Sequence, residues 1–327
     1  MKHSKILITG GTGFIGAHLV KKLYNSQNKI IVFSQEPSHL FLKGLNVKII
    51  IGDIRNYNSV LKAMKGCNYV YHLAACTLNA PKEKRKIFGV NVLGTENILK
   101  ACLRLHIKKV VFVSSGSTLG FSKHERPLTE RDCMDFKDNL YGQSKKLAEG
   151  KVLEYVEKGL NATIVNPGYV IGAGEIDTRR FGLFKSIAKG RIKFVYPGGG
   201  GIVAVEDLVD GIVLAMKKGK SGERYILSNT YIRLFDFYNL IARTLKKPKI
   251  KFKLPMVAYY PVYWLAAILE KTMENPPVTT ENVRWHFRFR VYDSSKARKD
   301  LGWKPKVPLA ESVKKAIKYY RSIGVLK

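Results

Sequence analysis

Six short apolar runs, most of them leading into a stretch with helical spacing, occupy the first half of the chain: KILITG (5–10), IIVFS (30–34), VKIII (47–51), YVYHLA (69–74), KVVFVSS (109–115) and ATIVN (162–166). Rich in valine and isoleucine and without polar alternation, they predict strands buried on both faces. The intervening FIGAHLVKKLY, NSVLKAMKG, GTENILKACLRLH and YGQSKKLAEGKVLEYVEKG predict helices. Strands alternating with helices predict an α/β fold built on a parallel sheet.

After Asn166 the pattern changes to glycine-rich turns, IGAGE and YPGGGG, and then to mixed short helices and strands. We therefore assign residues 1–170 to the sheet unit, with segments around 200–230 returning to it. Residues 171–327 mainly form a smaller, mixed α/β C-terminal lobe that selects the substrate. The closing DSSKARKDLGWKPKVPLAESVKKAIKYYRS predicts a helix, a Gly-Trp-x-Pro turn and a final amphipathic helix with its lysines outward.

A length of 327 residues, 46% apolar and 25% charged, suits one large unit with an attached lobe and excludes a disordered chain. The 57 lysines and arginines against 25 acids leave a net charge of +32. Such an excess points to an anionic membrane surface, nucleic acid or phosphorylated small molecules, or simply to a basic cellular background. No aromatic-basic RNA motif is present, so specific nucleic-acid binding is not expected. Cys67, Cys76, Cys102 and Cys133 have neither C-x-x-C spacing nor histidines at ligand intervals, and read as single, mostly buried thiols with no metal. MKHSKILITG runs straight into a strand without the apolar stretch of a signal peptide, so a cytoplasmic location is expected, in solution or peripheral at a membrane surface.

In KKPKIKFKLPMVAYYPVYWLAAILEK a comb of lysines precedes an uncharged run, Leu254 to Leu269. Two prolines and the short length argue against a spanning helix, which wants about 20 apolar residues. A core or substrate-pocket wall, a membrane-surface contact and a true span are the three readings. The first two favour a hydrophobic substrate such as a lipid, isoprenoid or polycyclic alcohol.

Candidate chemistry gathers at two places. ITGGTGFIG sets Gly10, Gly13 and Gly16 between the first strand and first helix, where small residues let a pyrophosphate approach backbone amides. In NLYGQSKK, Tyr141 and Lys145 stand four apart, on one helix face. That spacing alone also fits a solvated helix surface. A phenol with a pKa near 10 needs a neighbouring positive charge to act as an acid/base near neutrality. Ser115, at the end of the fifth run, is a candidate to bond the same substrate oxygen, with Ser114 competing for the role.

The spacing G-x-x-G-x-x-G, with GDI (52–54), HLAA (72–75), NVLGT (91–95), VVFVSS, YGQSK, NPG (166–168), VEDLVDGI (205–212) and DSSKARKDLGW, resembles the extended short-chain dehydrogenases/reductases, the NAD-dependent epimerase/dehydratase family. STLGF after the serine replaces the tyrosine-glycine pair of sugar-nucleotide epimerases. The pattern is closer to the dihydroflavonol reductase, hydroxysteroid dehydrogenase and hopanoid-associated epimerase-like group. The resemblance implies a Rossmann-type doubly wound sheet, a homodimer and an NAD or NADP cofactor. It would place the cofactor against Gly10, Thr12, Gly13, Phe14, Ile15 and Gly16, then Ser34, Asp53 and Ile54, then Leu73, Ala74 and Ala75, and finally Tyr141, Lys145, Pro167 and Gly168. Asp53 would bond the adenine; capping of the following helix is its alternative. Ser115, Tyr141, Lys145 and Asn91 would form the catalytic set.

The expected activity is hydride transfer between nicotinamide and a secondary alcohol or ketone of a small, hydrophobic molecule. A nucleotide-sugar epimerase and a non-catalytic nucleotide-bound scaffold are the alternatives. At the end of the second run, VFSQEPSH offers Ser34 and Gln35 in place of the acid of NAD enzymes or the arginine of NADP enzymes, and with His39 and Lys43 nearby the balance tilts to NADP(H). Arg179, Arg180 and Arg191 are candidates for clamping a diphosphate, or plain surface arginines.

Overall fold

A computed structural model describes residues 3–24, 27–36, 42–78, 81–133, 139–175, 178–273, 276 and 278–326, without the side chains of residues 81, 124 and 178–180. Six strands come first: β1 (Lys5–Thr9), β2 (Lys29–Ser34), β3 (Lys48–Ile51), β4 (Tyr69–His72), β5 (Lys109–Val113) and β6 (Ala162–Pro167). Between them run α1 (Phe14–Tyr24), α2 (Tyr57–Met64), α3 (Lys84–Phe88), α4 (Gly94–Arg104) and α5 (Leu140–Glu157). The second half adds β7 (Tyr169–Ile171), α6 (Thr178–Ala188), β8 (Phe194–Val195), β9 (Gly199–Ala204), α7 (Val205–Lys218), β10 (Arg224–Leu227), β11 (Thr230–Arg233) and α8 (Leu234–Thr244). It closes with β12 (Phe252–Lys253), α9 (Tyr259–Thr272), α10 (Thr280–His286), β13 (Phe289–Arg290) and α11 (Leu309–Ser322).

Seven strands form one parallel sheet in the order β10-β6-β5-β4-β1-β2-β3. Its middle strands are apolar on both faces because both are covered. On one face Ile6, Ile8, Val111 and Val165 pack with α1 and α7; on the other Leu7, Val70, Phe112 and Ile164 pack with α2, α4 and α5. The chain winds outward from β1 in two directions, so the order reverses between β1 and β4, where crossovers diverge and leave a crevice at the strands' C-terminal ends.

The smaller lobe is built on β9, which pairs antiparallel with β11 along one edge and parallel with β7 and β13 along the other. β8 and β12 make a separate two-stranded ribbon. The closing segment is clamped to the first unit. Trp303, 1% exposed, donates its indole N–H to the carbonyl of Asp207 at 2.8 Å, and the Asp207 carboxylate accepts the backbone N–H groups of Lys306 and Val307. All four cysteines are free; Cys67 and Cys102 are buried, but Cys133 is exposed, because it follows a surface turn rather than a core element.

Candidate active site

The crevice is a cleft of about 430 Å³ running from the ends of β2 and β3 to the start of α5. Its glycine turn shows three different reasons for three glycines. Gly10 has φ +68°, and a Cβ there would lie 2.7 Å from the backbone nitrogen of Ala74. Gly16 has no room at all, since its Cβ would fall 2.1 Å from the Gly10 carbonyl oxygen. Gly13 differs: a Cβ would meet only that oxygen, at 3.3 Å, and the rest of the space opens into the cleft. This open floor at the head of α1 fits a pyrophosphate held by backbone amides. Thr12, Phe14 and Ile15 complete the turn's share of the lining.

At the far end, Ser34 Oγ lies 2.5 Å from Thr12 Oγ1 and accepts the Glu36 backbone N–H. Asp53 does not cap α2; Asn56 does, accepting the N–H of Ser59. Instead the Asp53 carboxylate accepts from the Arg55 side chain and backbone and from Gln35 Nε2 at 2.8 Å, and the Arg55 hydrogen bonds hold its pKa below the ordinary aspartate value. Ile54, Leu73, Ala74 and Ala75 line the middle. Lys43 is exposed, and His39 lies outside the described residues.

The near end is built by α5. Asn139 caps that helix, accepting the Gly142 N–H, so Tyr141 falls in its first turn and Lys145 one turn on. Both line the cleft. Lys145 is no surface charge: it is 1% exposed, its Nζ donates to the carbonyl of Val113 at 2.8 Å and sits 4.2 Å over the Phe112 ring. Burial pulls its pKa down to about 7, against the pull of Glu149. Lys146, the next residue, is exposed.

Ser115 ends the strand–turn segment after β5 and caps a single 3₁₀ turn, Gly116–Thr118. Its Oγ accepts from the Ser117 N–H at 3.1 Å and from the Ser117 hydroxyl at 2.9 Å, which leaves Ser115's own proton to donate. Ser114 is occupied elsewhere: its hydroxyl bonds the buried Glu149 carboxylate, which also accepts from Thr118 and Asn166 and pairs with Arg224 at 3.2 Å. Ser114 nonetheless reaches the cleft lining, and Ser115 stands just outside it.

Asn91 touches neither end directly. Its amide exchanges both hydrogen bonds with the Cys76 backbone, at 2.7 and 3.0 Å, and donates to Ser144 Oγ at 2.8 Å, tying the loop after β4 to α5. Beneath it His72 bridges Thr9 (2.6 Å) and Thr95 (2.9 Å), and Thr95 donates to the Asn91 carbonyl. Thr95 spends its proton on Asn91, so His72 donates from Nε2 and accepts at Nδ1. Burial holds its pKa down at about 3, and the ring stays neutral.

Pro167 and Gly168 stand at the end of β6, outside the cleft lining. Gly168 packs against β9, where a Cβ would meet the Gly201 carbonyl at 2.6 Å, and the Pro167 carbonyl faces Gly116. Arg191 is exposed, and the side chains of Arg179 and Arg180 lie outside the described residues. Gln35 and Glu36 join Ser34 on the lining; the sequence reading passed over Glu175, also on the lining, and the Glu149–Arg224 pair. It also missed Arg290, whose guanidinium is buried 4.2 Å from the Trp285 ring, with Nε lacking a hydrogen-bond partner.

The model of the NAD dependent epimerase/dehydratase family matches residues 6–228, more than half of the chain. The chain belongs to this family. It is an extended short-chain dehydrogenase/reductase, an NAD(P)-dependent oxidoreductase. Sterol demethylase protein B of Methylococcus capsulatus is 27% identical over 98% of this chain and 99% of that protein. The 3 beta-hydroxysteroid dehydrogenase/Delta 5→4-isomerase of Mycobacterium tuberculosis is 26% identical over 98% and 91%. In fold, the dTDP-glucose 4,6-dehydratase of Streptomyces venezuelae, solved with NAD and TYD bound, superimposes with a TM-score of 0.82 at 20% identity, covering 99% of each chain.

Proposed function

We propose that this enzyme moves a hydride between a nicotinamide dinucleotide and a secondary alcohol or ketone on a hydrophobic, sterol- or isoprenoid-like molecule. The convergence of Tyr141 and Lys145 on the cleft's near end, beside the serine turn, carries the reading. The relatives named for sterol and hydroxysteroid chemistry support the substrate class.

When bound, the dinucleotide supplies or takes the hydride at C4. The protein's own share is proton handling and placement. Tyr141 gives the substrate oxygen its proton or removes it, and Ser115 donates its unused proton to that same oxygen. Lys145, whose pKa burial brings to about 7, favours the developing phenolate through the positive charge of its protonated form and so lowers the cost of that charge. Asn91 is a positioning residue: it holds α5 against the loop after β4.

For the cofactor's 2′ end, Lys145 is the sole cation among the described lining residues and lies at the opposite end of the cleft. The acid missing from the end of β2 is supplied two residues on by Glu36, on the lining. Arg55 is engaged with Asp53. These features support NAD(H), where the bare sequence tilts to NADP(H). Titration with NADH and NADPH decides it; tighter NADPH binding would reverse the assignment.

A second reading, epimerisation of a nucleotide sugar, is favoured by Arg290, a buried guanidinium able to meet a diphosphate. Turnover of hydroxysterols and UDP-sugars, compared on one preparation, separates the two. Tyr141→Phe should abolish either turnover while leaving dinucleotide affinity intact, and full activity in that variant would remove Tyr141 from the mechanism.

A further inference from the structure

From Tyr259 to Leu269, helix α9 is apolar on every side. Its inner face is spent on the lobe, where Val262, Tyr263 and Ala266 pack with Val283 and Phe287 from α10 and its end. Its outer face, Tyr260, Trp264, Leu265 and Ile268, together with Val257 in the turn just before the helix, is turned to solvent, each side chain between 55% and 81% exposed. Phe252 and Phe194, paired across β12 and β8, are exposed beside basic residues of the same ribbon. Lys193, Lys249, Lys251 and Lys253 around that ribbon are all exposed, and no acid occurs from Thr244 to Leu269.

A helix apolar all round normally lies in a protein core or in lipid. α9 has 14 residues, and a length of about 21 Å falls short of the roughly 30 Å hydrocarbon core of a bilayer. No described helix is long and apolar enough to cross a membrane. A second copy of the chain is a poor cover for this face. In a two-fold contact each copy would bring the same lysines against the other's, on a protein already at +32. An anionic lipid surface answers both halves of the patch, with headgroups for the lysines and acyl chains for the tryptophan, tyrosine and aliphatic side chains.

We propose that α9 and the Phe194–Phe252 ribbon seat the enzyme on an anionic phospholipid surface, without crossing it. The docking element is joined to the active site. α10, which packs on α9, carries Glu281, and Glu281 accepts from Asn139 Nδ2 at 3.2 Å, at the cap of the helix that presents Tyr141. Trp285 of α10 lies against Arg290 and Phe121. A lipophilic substrate would then be met at the bilayer rather than in bulk water; this last step rests on the function proposed above, whereas the docking does not.

The test is co-sedimentation with phosphatidylcholine vesicles, with and without phosphatidylglycerol, at low and high salt. Binding should require the anionic lipid, weaken with salt, and expose Trp264 to quenching by brominated acyl chains. Trp264→Glu/Ile268→Glu and Lys249→Glu/Lys251→Glu/Lys253→Glu should each lose at least about tenfold in vesicle partition while keeping dinucleotide affinity as the sign of an intact fold. Unchanged partition in both variants, or equal binding to neutral vesicles, overturns the proposal. So does a lipid-free dimer that Trp264→Glu dissociates, which would make the face a self-interface. With a hydroxysterol held in vesicles, the double variant should lose turnover yet keep it on a short water-soluble alcohol. Vesicle binding without turnover of any alcohol would sink the proposed substrate and leave the docking standing.

Discussion

Lys145 Nζ donates to the carbonyl of Val113 across 2.8 Å at a point where the lysine is 1% exposed. An ammonium in that place has one hydrogen bond and one aromatic face in exchange for its lost hydration, and its pKa of about 7 expresses the deficit. In the unfolded chain the same group stays protonated to about pH 10. Between those values the unfolded state binds the extra proton, so stability rises with pH through that window and is flat below it. The cofactor-free enzyme should gain up to about 1.4 kcal/mol per pH unit from this group above pH 7. Urea unfolding of wild type and Lys145→Met across this range measures it as the difference between the two slopes.

Acid acts on two other buried groups. Burial holds His72 near pKa 3 and His286 near 4, whereas both take a proton near 6.5 when unfolded. Here too the unfolded state binds more protons, so stability is lost as pH falls from 6.5 toward those values. Toward pH 5 the loss should approach the slope of two protons, about 2.7 kcal/mol per pH unit, before most carboxylates titrate. His72→Gln, which keeps a donor and an acceptor, should halve that slope in the same unfolding experiment.

Glu149 is the hub under Ser114, with four partners on one carboxylate. Glu149→Gln leaves Arg224 facing a neutral amide in a mostly buried place. The expected cost is about 2–4 kcal/mol, discounted because Arg224 keeps some solvent. Glu149→Gln/Arg224→Met should cost less than the sum of the single changes, by about 1–3 kcal/mol of coupling. Additive costs would show that the pair does not interact energetically.

The glycine turn separates folding from binding. Gly16→Ala forces a methyl onto the Gly10 carbonyl and should yield protein that does not fold. Gly13→Ala should fold, with thermal stability close to wild type, and lose dinucleotide affinity by about tenfold or more because the methyl occupies the floor the pyrophosphate would use. Calorimetric titration of the second variant checks this.

The doubly wound half was legible because both of its sheet faces are covered, which writes continuous apolar runs into the sequence. The six runs match β1 to β6 within a few residues. Most of the candidate cofactor residues share one cleft, since they sit at the ends of neighbouring strands. What escaped was non-local. Arg224 reaches Glu149 from an edge strand 75 positions away, and nothing in either neighbourhood announces the pairing. Glu36 lies two residues beyond the end of β2, and the turn after the strand brings it back to the lining. Composition leaves the apolar run 254–269 open between a core or pocket wall, a membrane-surface contact and a span. Only packing shows that the lobe supplies α9 with one wall and leaves the other side open.

The clamp between Asp207 and the segment at Trp303–Val307 bears on biosynthesis. The strands that receive the dinucleotide leave the ribosome first, but α7, which covers one face of their sheet, has its first turn completed by backbone amides made about a hundred residues later. The helix therefore receives this lock only when the chain is nearly complete, although the sheet it covers is finished by Leu227. A ribosome stalled short of Trp303 would display a chain that has the whole glycine turn and still lacks its lock.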